Sequence, residues 1–104
     1  MDVVIILINK KNKQMKPINI YVGNLLQGFR ESKKISQVDM AKKLNLSRAS
    51  IVNIEAGRQG LNMFSLMAFA EALEVEPAEL IPPMEWFKKT KNKQIEKIVT
   101  YKIV

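Results

Sequence analysis

The 104-residue chain contains no cysteine and no histidine. Without cysteine there is no disulfide framework, no thiolate zinc site and no thiol nucleophile. Without histidine, the commonest general base and the commonest metal ligand are both missing. Carboxylates and lysines remain, but no constellation pairs them for catalysis. The serines fall at helix caps and helix faces, with no base beside them in any readable pattern. The expectation is therefore a protein that is not an enzyme and that uses no cofactor and no metal. Long apolar runs are missing too. No segment approaches the ~20 apolar residues of a membrane span. The opening VVIILI run is short, follows an acid rather than a base, and leads into NKKNK, which is not the layout of a signal peptide. A cytoplasmic protein with no membrane partner is expected.

The densest information lies in Ser36 to Gly57, SQVDMAKKLNLSRASIVNIEAG. The pattern predicts a helix from about Gln37 to Leu44. Ser36 stands before it as N-cap, and Asp39 completes an S-x-x-D capping box. Met40, Ala41 and Leu44 recur on one face. Asn45 marks the stop, since asparagine tolerates the left-handed conformation found there. Leu46 reads as the apolar plug of the turn. Ser47 caps a second helix that sends Ile51 and Ile54 inward, and Gly57 ends it. Two helices this short need each other and their neighbours for stability. A three-residue turn between them sets a steep angle, the geometry in which a second helix can enter a DNA major groove.

In these residues the chain resembles the phage-repressor/Cro-like helix-turn-helix family, also called XRE. The resemblance runs from about Gly23 to Pro82. It is carried by Gly23, Leu26, Phe29-Arg30-Glu31, Ile35-Ser36-Gln37, Met40-Ala41, Leu44, Leu46-Ser47, Ile51, Ile54 to Arg58, Leu66, Ala70, Leu73, Val75 and Glu79-Leu80. Asn45 stands where a glycine is common in the turn, and Glu74 where a glycine often precedes Val75. The fold this resemblance implies is all-α, a compact five-helix domain. Pairing of Arg30 with Glu55 as a structural ion pair is likewise implied by the resemblance.

Around the motif, a first helix is expected from about Tyr21 or Gly23 to Ser32, with Leu26 and Phe29 inward and Gly28 unusual in its interior. Asn62 caps a fourth helix, MFSLMAFAEAL, which is apolar nearly all round. Met63, Phe64, Met67 and Phe69 cannot all face one small core, so some of them should meet a partner or the tails. Pro77 opens a short fifth helix, and Pro82-Pro83 marks a boundary. The organisation expected is an N-terminal extension over 1–19, the helix-turn-helix domain over 20–82 and a basic C-terminal extension over 83–104. Both termini carry β-branched apolar stretches that read as short β-strands, Val3 to Ile8 and IEKIVTYKIV from Ile95. The strands could pair with each other or across a dimer, with Trp86 and Phe87 as packing support. Alternatively, Met15 rather than Met1 is the biological start, leaving 1–14 as a disordered extension.

The net charge of +7 is uneven. Residues 23–58 carry seven basic and three acidic side chains, whereas residues 59–81 carry four glutamates and no base. The first balance suits a face that approaches phosphates, and the second a face turned away. By the resemblance, base reading falls to Arg48, Ala49 and Asn53, with Ser50 and Val52 at the edge. Arg48 can bond a guanine edge bidentately or meet a phosphate. Asn53 can bond adenine, and Ala49 can touch a thymine methyl. Phosphate contacts fall to Gln37 at a helix N-terminus, to Ser47, and to Arg58, Gln59 and Asn62 after the second helix. The function expected is a sequence-specific regulator of double-stranded DNA, a homodimeric repressor on a near-palindromic operator. The alternative is an antitoxin that binds a toxin protein and its own promoter.

Overall fold

The computed structural model describes residues 16–91, all helix and connection with no strand among them. Helix α1 spans Pro17–Ser32, α2 Gln37–Leu44, α3 Arg48–Glu55 and α4 Met63–Leu73. A short 3₁₀ helix follows at Pro77–Leu80. A final helix, α5, begins at 84 and continues to 91, the last described residue. Among the described residues the fold is therefore all-α, with five α-helices. The strands expected at the two termini lie outside the described residues.

Helix α1 starts earlier than the apolar spacing implies. Pro17 occupies its first turn, where a missing N–H is no loss, and the Lys16 carbonyl accepts the N–H groups of Asn19 and Ile20 at 3.0 and 3.2 Å. Ser36 caps α2 through its Oγ, which accepts from the Asp39 N–H at 3.0 Å. The reciprocal half of the expected capping box is not among the hydrogen bonds of this turn. Ser47 and Asn62 cap α3 and α4 in the same way, at 3.1 and 2.7 Å.

Helices α1 to α4 stop by one device. A residue with left-handed backbone sits just past the end, and the next N–H reaches back five residues to a helix carbonyl. The left-handed residues are Lys34, Asn45, Gly57 and Glu74, with φ of 59°, 54°, 82° and 57°. The closing bonds run from Ile35 to Arg30, Leu46 to Ala41, Arg58 to Asn53 and Val75 to Ala70, at 3.1, 2.9, 2.9 and 3.0 Å. Only one of the four left-handed positions is a glycine.

Leu26, Met40, Ala41, Ile51, Ile54, Phe69, Ala70, Leu73 and Leu80 form the buried core. Helix α3 packs between α1 and α2, and α4 closes the core against α2, α1 and the 3₁₀ turn. Gly23 is set by close approach. A Cβ there would lie 2.7 Å from the Glu55 carbonyl oxygen, so any side chain would push α1 off the end of α3. One expectation changes: Leu46 is not a buried plug of the turn but is 39% exposed, and its N–H serves the helix stop. A helix also follows the Pro82-Pro83 boundary, where the Pro83 carbonyl accepts from the Phe87 N–H at 3.2 Å as the first bond of α5. Trp86 on α5 packs on Tyr21 of α1, with ring centroids 4.9 Å apart and planes inclined at 53°.

Candidate nucleic-acid interface

Helix α3 carries its chemistry on opposite faces. Ile51 and Ile54 point into the core, while Arg48 and Ala49 at its start are exposed and Ser50, Val52 and Asn53 are partly exposed. Ser47 is committed locally, because its Oγ accepts the Ser50 N–H and its hydroxyl lies 3.0 Å from Ser50 Oγ. Its cap leaves the first amides of α3 beside the exposed Arg48.

Beneath this face lies a buried ion pair. Arg30 Nε donates to Glu55 Oε2 at 2.6 Å, and Nη2 donates to Oε1 at 3.1 Å, a two-pronged contact between α1 and the end of α3. Glu55 is 4% exposed. The third arm of the guanidinium donates to the Ile35 carbonyl at 2.7 Å, which fastens the α1–α2 connection. Hydrogen bonding to Glu55 raises the Arg30 pKa above its ordinary value, against the opposing effect of burial, with further help from the charges of Glu55 and Glu31. None of the buried side-chain polar atoms described lacks a partner.

Gln37 joins this pair to the surface. Its Nε2 donates to Glu55 Oε1 at 3.1 Å, and its Oε1 lies 3.4 Å from Arg48 Nη2. A chain of polar contacts thus runs from α1 through α3 and α2 to the first residue of α3. The link through Gln37 is not readable in the sequence, since it joins residues 18 and 11 positions away. At the other end of α3, Arg58 Nε donates to Asn53 Oδ1 at 3.0 Å. Gln59 is exposed beyond it. Asn62 accepts the Ser65 N–H on Oδ1 as the α4 cap, and its amide N–H groups have no partner among the described residues.

The structure therefore gathers Gln37, Ser47, Arg48, Ala49, Ser50 and Asn53 around α3, with Arg58, Gln59 and Asn62 on the connection that follows. Four further lysines on α2 and its approach, Lys33, Lys34, Lys42 and Lys43, are exposed. No group of three acidic, histidine or cysteine side chains that could hold a metal occurs among the described residues.

A helix-turn-helix family model matches residues 26–80, more than half of the chain. The chain belongs to that family, of the phage-repressor (XRE) type. It is 33% identical over 60 residues to an immunity repressor protein of Bacillus phage phi105; the match covers 58% of this chain and 42% of the repressor. The chain thus spans less than half the length of that curated relative. Among solved structures it is similar to the restriction-modification controller protein C.AhdI of Aeromonas hydrophila, with 28% identity and a TM-score of 0.58, over 61% of this chain and 96% of that one. It is also similar to part of hydroxypropylphosphonic acid epoxidase of S. wedmorenis, with 26% identity and a TM-score of 0.62, over 65% of this chain but only 36% of the epoxidase.

Proposed function

We propose that the protein is a cytoplasmic transcriptional regulator that binds double-stranded DNA as a homodimer and represses from a near-palindromic operator. The observation that carries this reading is the exposed start of α3, where Arg48 and Ala49 face solvent on a helix anchored from below by the Arg30–Glu55 pair. Arg48 is the leading candidate base-edge contact, with Ala49 and Ser50 beside it; Asn53 lies on the same helix and is the second candidate only where its oxygen is released from Arg58. Gln37, Ser47, Arg58, Gln59 and Asn62 are the candidate phosphate contacts. The kinship with a phage immunity repressor favours repression.

Dimerisation draws support from α4. Met63, Phe64 and Met67 are 75%, 82% and 53% exposed. They make an exposed apolar ridge on α4; Met63 rims a hollow of about 420 Å³ with Ile18, Leu61 and Ile81, and Phe64 and Met67 rim another of about 370 Å³ with Val75. Protruding and recessed apolar surface on one element supplies both parts that a two-fold interface pairs. The second copy would place two reading helices about one DNA turn apart and double the phosphate contacts. A toxin protein on the same face is the competing occupant.

Selection of bound duplexes from a random pool, followed by titration with salt, tests the reading. The expected outcome is a two-fold-symmetric motif and an affinity that falls by orders of magnitude between ~50 and ~200 mM salt. Salt-insensitive binding, or preference for single strands, would overturn it.

A further inference from the structure

At three of the four helix stops the residue after the left-handed position is apolar: Ile35, Leu46 and Val75. That residue commonly makes an apolar contact with the helix residue five positions back. The stop of α3 departs from this. The corresponding residue is Arg58, and the residue five back is Asn53, whose carbonyl accepts the N–H of Arg58 at 2.9 Å and of Gln59 at 3.3 Å. A polar side-chain contact replaces the apolar one: Arg58 Nε to Asn53 Oδ1, 3.0 Å.

We propose that Asn53 is a positioning residue that orients Arg58, already a candidate phosphate contact, rather than a reader of bases. The proposal rests on the DNA-binding reading above and refines it. To read adenine bidentately, an asparagine needs its oxygen to accept from N6 while its amide donates to N7. The Asn53 oxygen already accepts from a cationic donor, so only its second lone pair remains and the amide plane is set by Arg58 rather than by a base edge. A guanidinium bonded through Nε still presents the edge between its two terminal nitrogens, with two parallel N–H groups. That edge matches the paired oxygens of a phosphate. No second hydrogen bond or ion pair engages the Arg58 guanidinium among the described residues. Fixing Nε removes part of the rotamer freedom that a long side chain otherwise loses on contact.

The residue type at 53 matters for charge. A carboxylate there would hold Arg58 as well, but it would cancel the positive charge that a phosphate needs. A neutral amide oxygen orients the guanidinium and leaves its charge intact.

The test combines DNA binding with a spectroscopic reading of the free protein. In the wild type, the Arg58 Nε–H should exchange with solvent more slowly than that of Arg48, whose only side-chain bond is through Nη2. Asn53→Ala should abolish that protection, and Asn53→Asp should keep it. Arg58→Ala should lower the salt slope of duplex binding by about 1 and leave the selected motif unchanged. Asn53→Ala should weaken all duplexes alike and add no more than about twofold when Arg58 is already alanine, the limit set by additivity error. Asn53→Asp should lower the slope as Arg58→Ala does, despite the retained contact. A changed base preference in Asn53→Ala, full additivity of the two alanine variants, or rapid exchange at Arg58 Nε would each overturn the proposal. Circular dichroism on each variant keeps these outcomes separate from loss of fold. A wild-type protein that binds no duplex would fail before any variant is compared, and would sink the DNA-binding reading itself.

Discussion

Helices α3 and α4 lie in one small domain and bury comparable interiors, yet their outer faces differ in kind. Helix α3 puts Ile51, Ile54 and Glu55 inside and dresses its outer face with side chains held by hydrogen bonds. Helix α4 puts Phe69, Ala70 and Leu73 inside and leaves Met63, Phe64 and Met67 uncovered. Polar groups held in place but still able to donate suit a charged, hydrogen-bonding surface such as a duplex edge. Large apolar side chains left in water suit a second protein surface. The comparison teaches that the outward residues, not the core, separate the two tasks.

The largest effect should come from the fastener beneath α3. Glu55→Ala leaves the Arg30 guanidinium buried beside no carboxylate, and breaking a buried pair costs about 3–5 kcal/mol. For a domain this size that lowers the thermal midpoint by more than ~10 °C, read by circular dichroism. The sign with pH follows from the raised Arg30 pKa. The stabilisation is complete below the ordinary arginine pKa and is lost only as pH rises through the still higher folded value, so Arg30 itself contributes no loss across the physiological range. A cost under ~1 kcal/mol would show that α3 is held by apolar packing alone, and would remove one side of the contrast with α4.

The opposite outcome is expected on α4. Phe64→Glu alters a side chain that is 82% exposed, so the fold should change by no more than ~0.5 kcal/mol. Sedimentation at micromolar concentration should shift from dimer to monomer, near the chain mass of 11.9 kDa. A dimer that survives the substitution would move the interface elsewhere and leave the exposed ridge to another partner.

Smaller again are the effects on reading. Arg48→Ala should relax one base position, a loss of about 1–3 kcal/mol of discrimination. Gln37→Ala should weaken binding to all duplexes alike if Gln37 serves phosphate alone. A motif that also broadens at the Arg48 position would show that the 3.4 Å contact between the two side chains sets the reading geometry. Duplex selection with each variant separates these outcomes.

What could be read in the sequence followed from short-range rules. The caps at Ser36, Ser47 and Asn62, the left-handed Asn45 and Gly57, and the inward Ile51 and Ile54 all depend on neighbours within one or two turns. The surplus of apolar side chains on α4 was likewise visible, because Phe69 alone fits among the core positions while Met63, Phe64 and Met67 do not. The Arg30–Glu55 pair came from family resemblance, since nothing local links residues 25 apart. The part played by Gln37 was hidden for the same reason. The early start of α1 was missed because its first turn, with Ile18 38% exposed, adds no buried residue to mark it. The helix after Pro83 was missed because a Pro-Pro pair is a strong stop signal, yet its second carbonyl can still accept the first helical bond.

The smallest expected effects test backbone rather than side chains, and both are gains reached by opposite changes, removing a glycine at one site and introducing one at another. Gly28 lies exposed in the interior of α1, and a Cβ there would meet nothing within 4 Å. Gly28→Ala should therefore add up to about 1 kcal/mol of stability, the helix-propensity difference, without touching the reading face. Glu74 ends α4 at φ 57°, where a side chain costs about 1–2 kcal/mol and glycine does not. Glu74→Gly relieves that cost but loosens the unfolded chain, so the net gain should be a few tenths of a kcal/mol to about 1. Denaturant unfolding of the two variants and their double mutant gives both numbers, and the sites are independent enough for the gains to add. If Glu74→Gly destabilises instead, the acidic side chain contributes more at the end of α4 than its backbone conformation costs, and the helix stop there is held by more than its backbone bonds.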